Sequence, residues 1–270
     1  MDYRHKKQIT ISVVFVLILI LIGMGFYFLL KPKPTCLDKI KNQGEEGTDC
    51  GGPCELCYPY SDIKVNWEKV IKKEDNKYDL VAKIENPNPN LGTENLNYKF
   101  ELKNNAGQVV KSVESATFIL PNSTRYIIEP NIESNEAIAS VNLIPEKVEK
   151  SSWQQLKDYQ SPDLFVKDKN VTTANQNNYF IEATGNLKND TDFDFDAVDV
   201  NIVLFDINQE PIAVSKTQIK TLMTGEERYF SVKWYTPPKE EIKSYDMQPE
   251  TNLFSSDNYM DKHGVPRIEP

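Results

Sequence analysis

Apolar residues follow one another without a charge from residue 9 to residue 30, and no other stretch of the chain sustains such a run. As a helix those 22 residues rise about 33 Å, enough to cross a hydrocarbon core of about 30 Å. A removable signal peptide has a shorter apolar stretch, about 7–15 residues, and a small-residue cleavage site. Here the run ends Gly25-Phe26-Tyr27-Phe28-Leu29-Leu30-Lys31, without that site. The expectation is an uncleaved transmembrane helix over 9–30 behind a short cytoplasmic tail, 1–8. Arg4, Lys6 and Lys7 precede the run, and Lys31, Lys33, Lys39 and Lys41 follow it, so basic residues do not choose the orientation.

Past residue 59 the pattern changes to short runs of period two, broken by Asn, Pro, Gly and Asp, which predicts an all-β region. Leu96, Tyr98, Phe100 and Leu102 alternate with Asn97, Lys99, Glu101 and Lys103, as a strand with one dry face does. Asn104-Asn105-Ala106-Gly107 then supplies residues that tolerate a tight turn. About 100 residues later the same grammar returns. Val198, Val200, Ile202 and Leu204 repeat the strand, and Asp206 to Pro211 repeat the turn. Ile181, Ala183 and Gly185 lead to Asn186 as Ala82 and Ile84 lead to Asn86. Asn122-Ser123-Thr124-Arg125-Tyr126-Ile127 parallels Gly225-Glu226-Glu227-Arg228-Tyr229-Phe230. The organisation read from this is a first β-sandwich at 60–150, a second at 163–250 and a loose tail at 251–270.

Between the apolar run and the strands lie all four cysteines, Cys36, Cys50, Cys54 and Cys57, at spacing C-x13-C-x3-C-x2-C. A segment this short with so few apolar side chains needs disulfides or a metal to hold a shape. Four thiols allow three pairings. Two disulfides suit an oxidising compartment. Zinc is the rival, although only Cys54 and Cys57 form an ordinary knuckle, and free thiols are the third state. Asp38, Asn42, Glu45 and Asp49 offer the hard oxygens that calcium takes, or they cap loops. The cysteines, with the short N-terminal tail, favour an extracytoplasmic C-terminal body.

The pattern around Asp49-Cys50-Gly51-Gly52-Pro53-Cys54 resembles a small cysteine module found just outside the membrane in surface and secreted proteins, with Lys39 where that module carries glycine. The two β units resemble related immunoglobulin-like sandwiches. Ile84-Glu85-Asn86-Pro87-Asn88-Pro89 is similar to a strand end of the late-embryogenesis-abundant (water-stress) domain. Leu204-Phe205-Asp206, with Leu222 to Glu226, resembles the FxLYD domain. The fold class these imply is an all-β ectodomain of two tandem immunoglobulin-like β-sandwiches behind one transmembrane helix and a cysteine-stapled module. They imply no chemistry, since function lives in sites rather than folds.

The chain carries a net charge of −9, and residues 1–33 hold five of its 31 basic residues but one of its 40 acidic ones. Such an acidic body is repelled by nucleic acid. The two histidines are His5 and His263, so a histidine-based triad would have to use His263, and no phosphate loop, dinucleotide fingerprint or zinc-protease motif occurs. No catalytic residue is nominated. In the run from Asn189 to Asp199, Asp190, Asp192, Asp194 and Asp196 share one face if extended, with Phe193 and Phe195 opposite. That face suits either calcium or a solvated edge strand. Asn122, Asn170 and Asn189 open glycosylation sequons. No cofactor is required, calcium and zinc being the options.

The expected function is a single-pass surface protein with a non-catalytic binding or structural ectodomain. Its expected partners are the bilayer, through 9–30, and other envelope or surface proteins. The alternatives are an extracytoplasmic enzyme working through acidic residues, for example on carbohydrate, and a cytosol-facing zinc protein.

Overall fold

The structure is a computed structural model that describes residues 3–30, 33–45, 47–54, 57, 59–156, 159–173 and 179–260, with helical side chains described for 12–27. It divides into two compact units, 1–58 and 59–270. The first unit opens with one helix, α1 (Tyr3–Leu30), which encloses the whole uncharged run. Apolar side chains lie all round it, and those from Val13 to Tyr27 are about half exposed or more. Among the described residues no helix is long and apolar enough to cross a membrane. Residues 36–57 follow as turns held by two disulfides, Cys36–Cys54 and Cys50–Cys57.

The second unit is all β. Its first half holds β1 (Lys64–Glu74), β2 (Lys77–Asn86), β3 (Leu91–Lys103), β4 (Val109–Ile119), β5 (Ser123–Glu133), β6 (Ser140–Pro145) and β7 (Gln154–Gln155). Its second half holds β8 (Leu164–Thr173), β9 (Ile181–Asn189), β10 (Asp194–Phe205), β11 (Pro211–Leu222), β12 (Glu227–Trp234), β13 (Ser244–Glu250) and β14 (Tyr259–Met260). The sheets are β1-β2-β5 and β4-β3-β6 in the first half, β8-β9-β12 and β11-β10-β13 in the second. Short β7 adds to β3, and β14 adds to β10. Every strand of the first half therefore has its counterpart seven strands later, with the same neighbours, and all pairings are antiparallel. The second half's core draws on both of its sheets, among them Leu187, Phe195, Ile202, Leu222, Phe230 and Met247, so the sheets pack face to face.

The correspondence extends to single residues. Asn104 closes the β3–β4 turn by accepting from the Ala106 and Gln108 N–H groups, and Asp206 closes the β10–β11 turn by accepting from Asn208 and Glu210. Gly107 and Gln209 both take a left-handed φ there. One expected match is corrected. The partner of Asn86 is Asn189 and not Asn186, because Asn86 and Asn189 both end their strands fully buried. Each spends its amide on two carbonyls, Leu91 and Leu120 for Asn86, Phe193 and Leu222 for Asn189. Asn186 lies mid-strand opposite Tyr229.

In this register Ala82 faces Ile127 where Gly185 faces Phe230. A Cβ at Gly185 would stand 2.5 Å from a Val166 methyl and 3.1 Å from the Phe230 ring. The Val166 methyl and the Phe230 ring together occupy the space that a side-chain methyl would need. Gly185→Ala is expected to destabilise the β unit by about 1–3 kcal/mol through overpacking. Adding Val166→Ala, which removes the nearest contact, is expected to recover part of that loss in a urea titration.

The segment expected as a loose tail is ordered over 251–260. Thr251 and Asn258 are buried, and β14 joins the sheet. Asn258 donates to Thr251 Oγ1 and to the Asn252 carbonyl, and accepts from the Ala197 N–H, which ties the return into place. Residues 261–270 lie outside the described ones.

Candidate functional site

The sulfurs nominated as disulfide or metal ligands are all paired, Cys36 with Cys54 and Cys50 with Cys57, with Cα separations of 5.4 and 4.9 Å. This pairing agrees with the disulfide reading, and a sulfur held in a disulfide has no thiolate to give a metal. Among the described residues one metal-like set converges, Cys36, Glu45 and Cys54, and it is a disulfide beside a buried carboxylate. Three of the four hard-oxygen residues, Asp38, Glu45 and Asp49, cap loops, while the Asn42 oxygen is buried without a protein partner. Asp38 accepts from the Thr35 and Ile40 N–H groups and the Asn42 amide. Those bonds, the Asn42 amide first, hold its carboxyl below the usual range. Glu45 accepts from the Asn42 and Asp49 N–H groups, and both Asp49 oxygens accept from the Lys39 N–H.

The second acidic set does not share a face. Asp190, Asp192 and Asp196 are exposed, whereas Asp194 is buried and accepts from the Thr224 N–H at 2.6 Å. Of the two phenylalanines expected inside, Phe195 is buried and Phe193 is exposed, its ring edge-on to Tyr259. The strand begins only at Asp194, so the alternation assumed from Asp190 onward does not exist. Among the sequon asparagines, Asn122 and Asn170 are exposed. Asn189 is corrected, because the nitrogen a glycan would take is buried and already donates twice. The side chains of His5 and His263 lie outside the described residues.

What the structure does assemble is a seam between the two halves of the β unit. The outer face of β1-β2-β5 meets the outer face of β11-β10-β13. Val81, Tyr126 and Ile128 pack with Val203 and Val214, flanked by Trp67, Ile71 and Phe205. Polar bonds ring this patch. Tyr126 donates its hydroxyl to Asp246 at 2.9 Å, Lys216 donates to the Ile128 carbonyl, and Gln248 donates to the Thr124 carbonyl. Lys69 pairs with Glu210 at 2.6 Å.

At one end of the seam sits an almost fully buried ion pair, Arg125 to Glu250 at 2.5 Å, with Asp199 at 3.9 Å from the same guanidinium. The guanidinium carbon lies 3.9 Å from the Phe118 ring centre, and Asn201 donates to Glu250. Burial pushes the Glu250 carboxyl up to about 7 against the pull of Arg125, with Asp199 adding to the rise. A cavity of about 110 Å³ opens beside the pair, lined by Arg125, Tyr159, Gln248 and Glu250 among others. Within it Arg125 Nε and Gln248 Oε1 have no protein partner. A polar space of this size takes ordered water.

The native state thus holds the Glu250 proton more tightly than the unfolded chain does. The stability due to this group is fully present below about pH 4.5 and is lost as pH rises through about 7. Urea midpoints across that window are expected to fall with rising pH, and Glu250→Gln to flatten the slope.

At the other end, a cleft of about 330 Å³ is lined by Ile71, Lys73, Asp206, Glu210, Pro237 and Glu240 among others. The backbone N–H of Glu210 and other bonds hold the Asp206 carboxyl low, while a hydrogen bond shared with Asp206 pushes Glu240 up. A carboxyl pair with divergent protonation is the signature of acid–base chemistry. Asp206, however, serves the turn that uncharged Asn104 serves in the first half, so the turn accounts for Asp206 and leaves Glu240 as the member without a structural duty.

The docking is not propagated. By register, Trp67, Val81 and Ile128 correspond to Lys167, Thr184 and Ser231, while Val203 and Val214 correspond to Glu101 and Ser112. Tyr229, the counterpart of buried Tyr126, is 62% exposed. Polar residues on the two equivalent outer faces close a head-to-tail array at two members. No protein-family model matches the chain, and no curated protein matches it.

Proposed function

We propose that the chain is a single-pass membrane protein whose β unit stands outside the cytoplasm as a rigid, non-catalytic binding or structural module. The observation that carries this is the uncharged run 9–30 inside α1, whose large apolar side chains from Val13 to Tyr27 are all exposed. An all-round apolar helix is suited to lipid and not to a half-wet protein surface. Two disulfides directly after it favour an oxidising exterior. The repeated strand order supports reading each half as an immunoglobulin-like sandwich of the FxLYD and late-embryogenesis-abundant kind. The seam supports a pair that presents its open faces at fixed separation to other envelope or surface proteins. The acidic body disfavours nucleic acid.

The Asp206–Glu240 pair in its cleft favours the alternative, an extracytoplasmic enzyme acting through carboxylates, for example on carbohydrate. Protease added to intact cells tests the main reading. Digestion of the β unit from outside is expected, and protection until the cells are opened overturns it. Hydrolysis of a carbohydrate that Glu240→Gln abolishes would establish the alternative instead.

A further inference from the structure

Leu37 is 88% exposed and Ile40 59% exposed, on a loop that cannot turn them inward. The Cys36–Cys54 disulfide fixes one end of the loop. Asp38 sits between the two aliphatic residues and accepts from Thr35 N at 3.1 Å, Ile40 N at 2.8 Å and the Asn42 amide at 2.8 Å. Asp49 accepts from Lys39 N, and Lys39 takes a left-handed φ of 59°. The backbone is therefore pinned from both sides. Between residues 33 and 42 the charges are Lys33, Lys39 and Lys41 against Asp38 alone, and that carboxylate is spent on the loop. The result is a preorganised turn with two bare aliphatic side chains beside the exposed Lys39 and Lys41, the carboxylates of Asp38, Glu45 and Asp49 all being held on backbone N–H groups. Two exposed aliphatic side chains three residues apart suit a contact, and a loop already ordered loses little entropy on making one.

Leu37 follows Leu30 by seven residues, at most about 25 Å of chain. We propose that residues 37–41 form a shallow membrane-contact loop on an anionic phospholipid surface, Leu37 and Ile40 among the upper acyl chains and Lys39 and Lys41 on headgroup phosphates. The inference rests on the membrane reading above. Continuity with the apolar helix and the exposed Lys39 and Lys41 beside the two aliphatic residues select lipid over a protein partner.

The test uses the full-length protein in vesicles of phosphatidylcholine and phosphatidylglycerol, with lipids brominated either near the headgroup or at the chain ends. Leu37→Trp, Ile40→Trp and, as a monitor of the span, Leu19→Trp are compared with the wild type, whose own tryptophans set the baseline. Leu19→Trp is expected to be quenched by chain-end bromine. Leu37→Trp and Ile40→Trp are expected to emit further to the blue and to lose most of their added emission to headgroup-proximal bromine. Adding Lys39→Gln and Lys41→Gln weakens that quenching in the anionic vesicles, not in pure phosphatidylcholine. If Leu19→Trp is quenched while Leu37→Trp and Ile40→Trp stay at baseline, the contact loop is overturned and the span stands. Blue emission without bromine quenching assigns the loop to a protein contact and also overturns it. If none of the three is quenched, the membrane reading itself fails.

Discussion

Arg125→Ala is expected to lower the stability of the β unit by about 3–5 kcal/mol at alkaline pH, because removing one partner of a buried pair strands the other. For a unit of this size that loss moves the thermal midpoint by roughly 10 °C. Arg125 leaves β5 in the first half and Glu250 ends β13 in the second, so the bond crosses the seam. Once the guanidinium is gone, Asn201 alone of the stated partners still donates to the carboxylate, and Asp199 remains as a like charge. Glu250 then escapes by taking a proton. Its folded pKa climbs further above about 7, so the penalty shrinks as pH falls and grows with rising pH until it passes the new value. Arg125→Met combined with Glu250→Leu removes both charges and is expected to return the unit to within about 1–2 kcal/mol of wild type. A pH-independent loss below about 1 kcal/mol for Arg125→Ala would mean that water already solvates the pair. Chemical denaturation at several pH values distinguishes these outcomes, and a split into two transitions would show that this bond couples the halves.

The strands were legible in the sequence wherever one face is wet. Leu96 to Leu102 and Val198 to Leu204 alternate because their polar neighbours reach solvent or the rim. The seam was not, since burial on both faces erases period two. Leu80, Val81 and Ala82 are all fully buried, as are Ile202, Val203 and Leu204, and the odd member of each trio belongs to the seam. A continuous apolar trio reads the same whether its second face meets a helix, a ligand or another sandwich. The three-residue slip at Asn186 has a similar origin. Gly185-Asn186 looks like a strand end, but the glycine is there to admit Val166 and Phe230 from the two flanking strands, a requirement visible only across the strand pairs. In the sequence Arg125 is one member of a repeated string, Asn122 to Ile127. Nothing local separates it from its counterpart Arg228, which is partly exposed and pairs with Glu226 on its own strand margin.

Cys36→Ser with Cys54→Ser is expected to cost the cysteine module about 3 kcal/mol, and this pair matters more than Cys50–Cys57. The constraint on the unfolded chain grows with loop length, and the separations are 18 and 7 residues. The module has little else to oppose that loss. Its buried side chains among the described residues are Cys54 itself and Glu45, and Glu45 lies 3.1 Å from the Cys54 sulfur. Without the bond that carboxylate regains water and releases the Asn42 and Asp49 N–H groups it holds. The loop carrying Leu37 and Ile40 loses its anchor at Cys36 in the same step. Protease should then cut within 36–57 while the thermal midpoint of the β unit stays put. Reductant should reproduce the effect on the wild-type protein and a zinc chelator should not. Resistance of the reduced module to cleavage would mean that the Asp38, Glu45 and Asp49 caps hold the fold and the sulfurs merely decorate it.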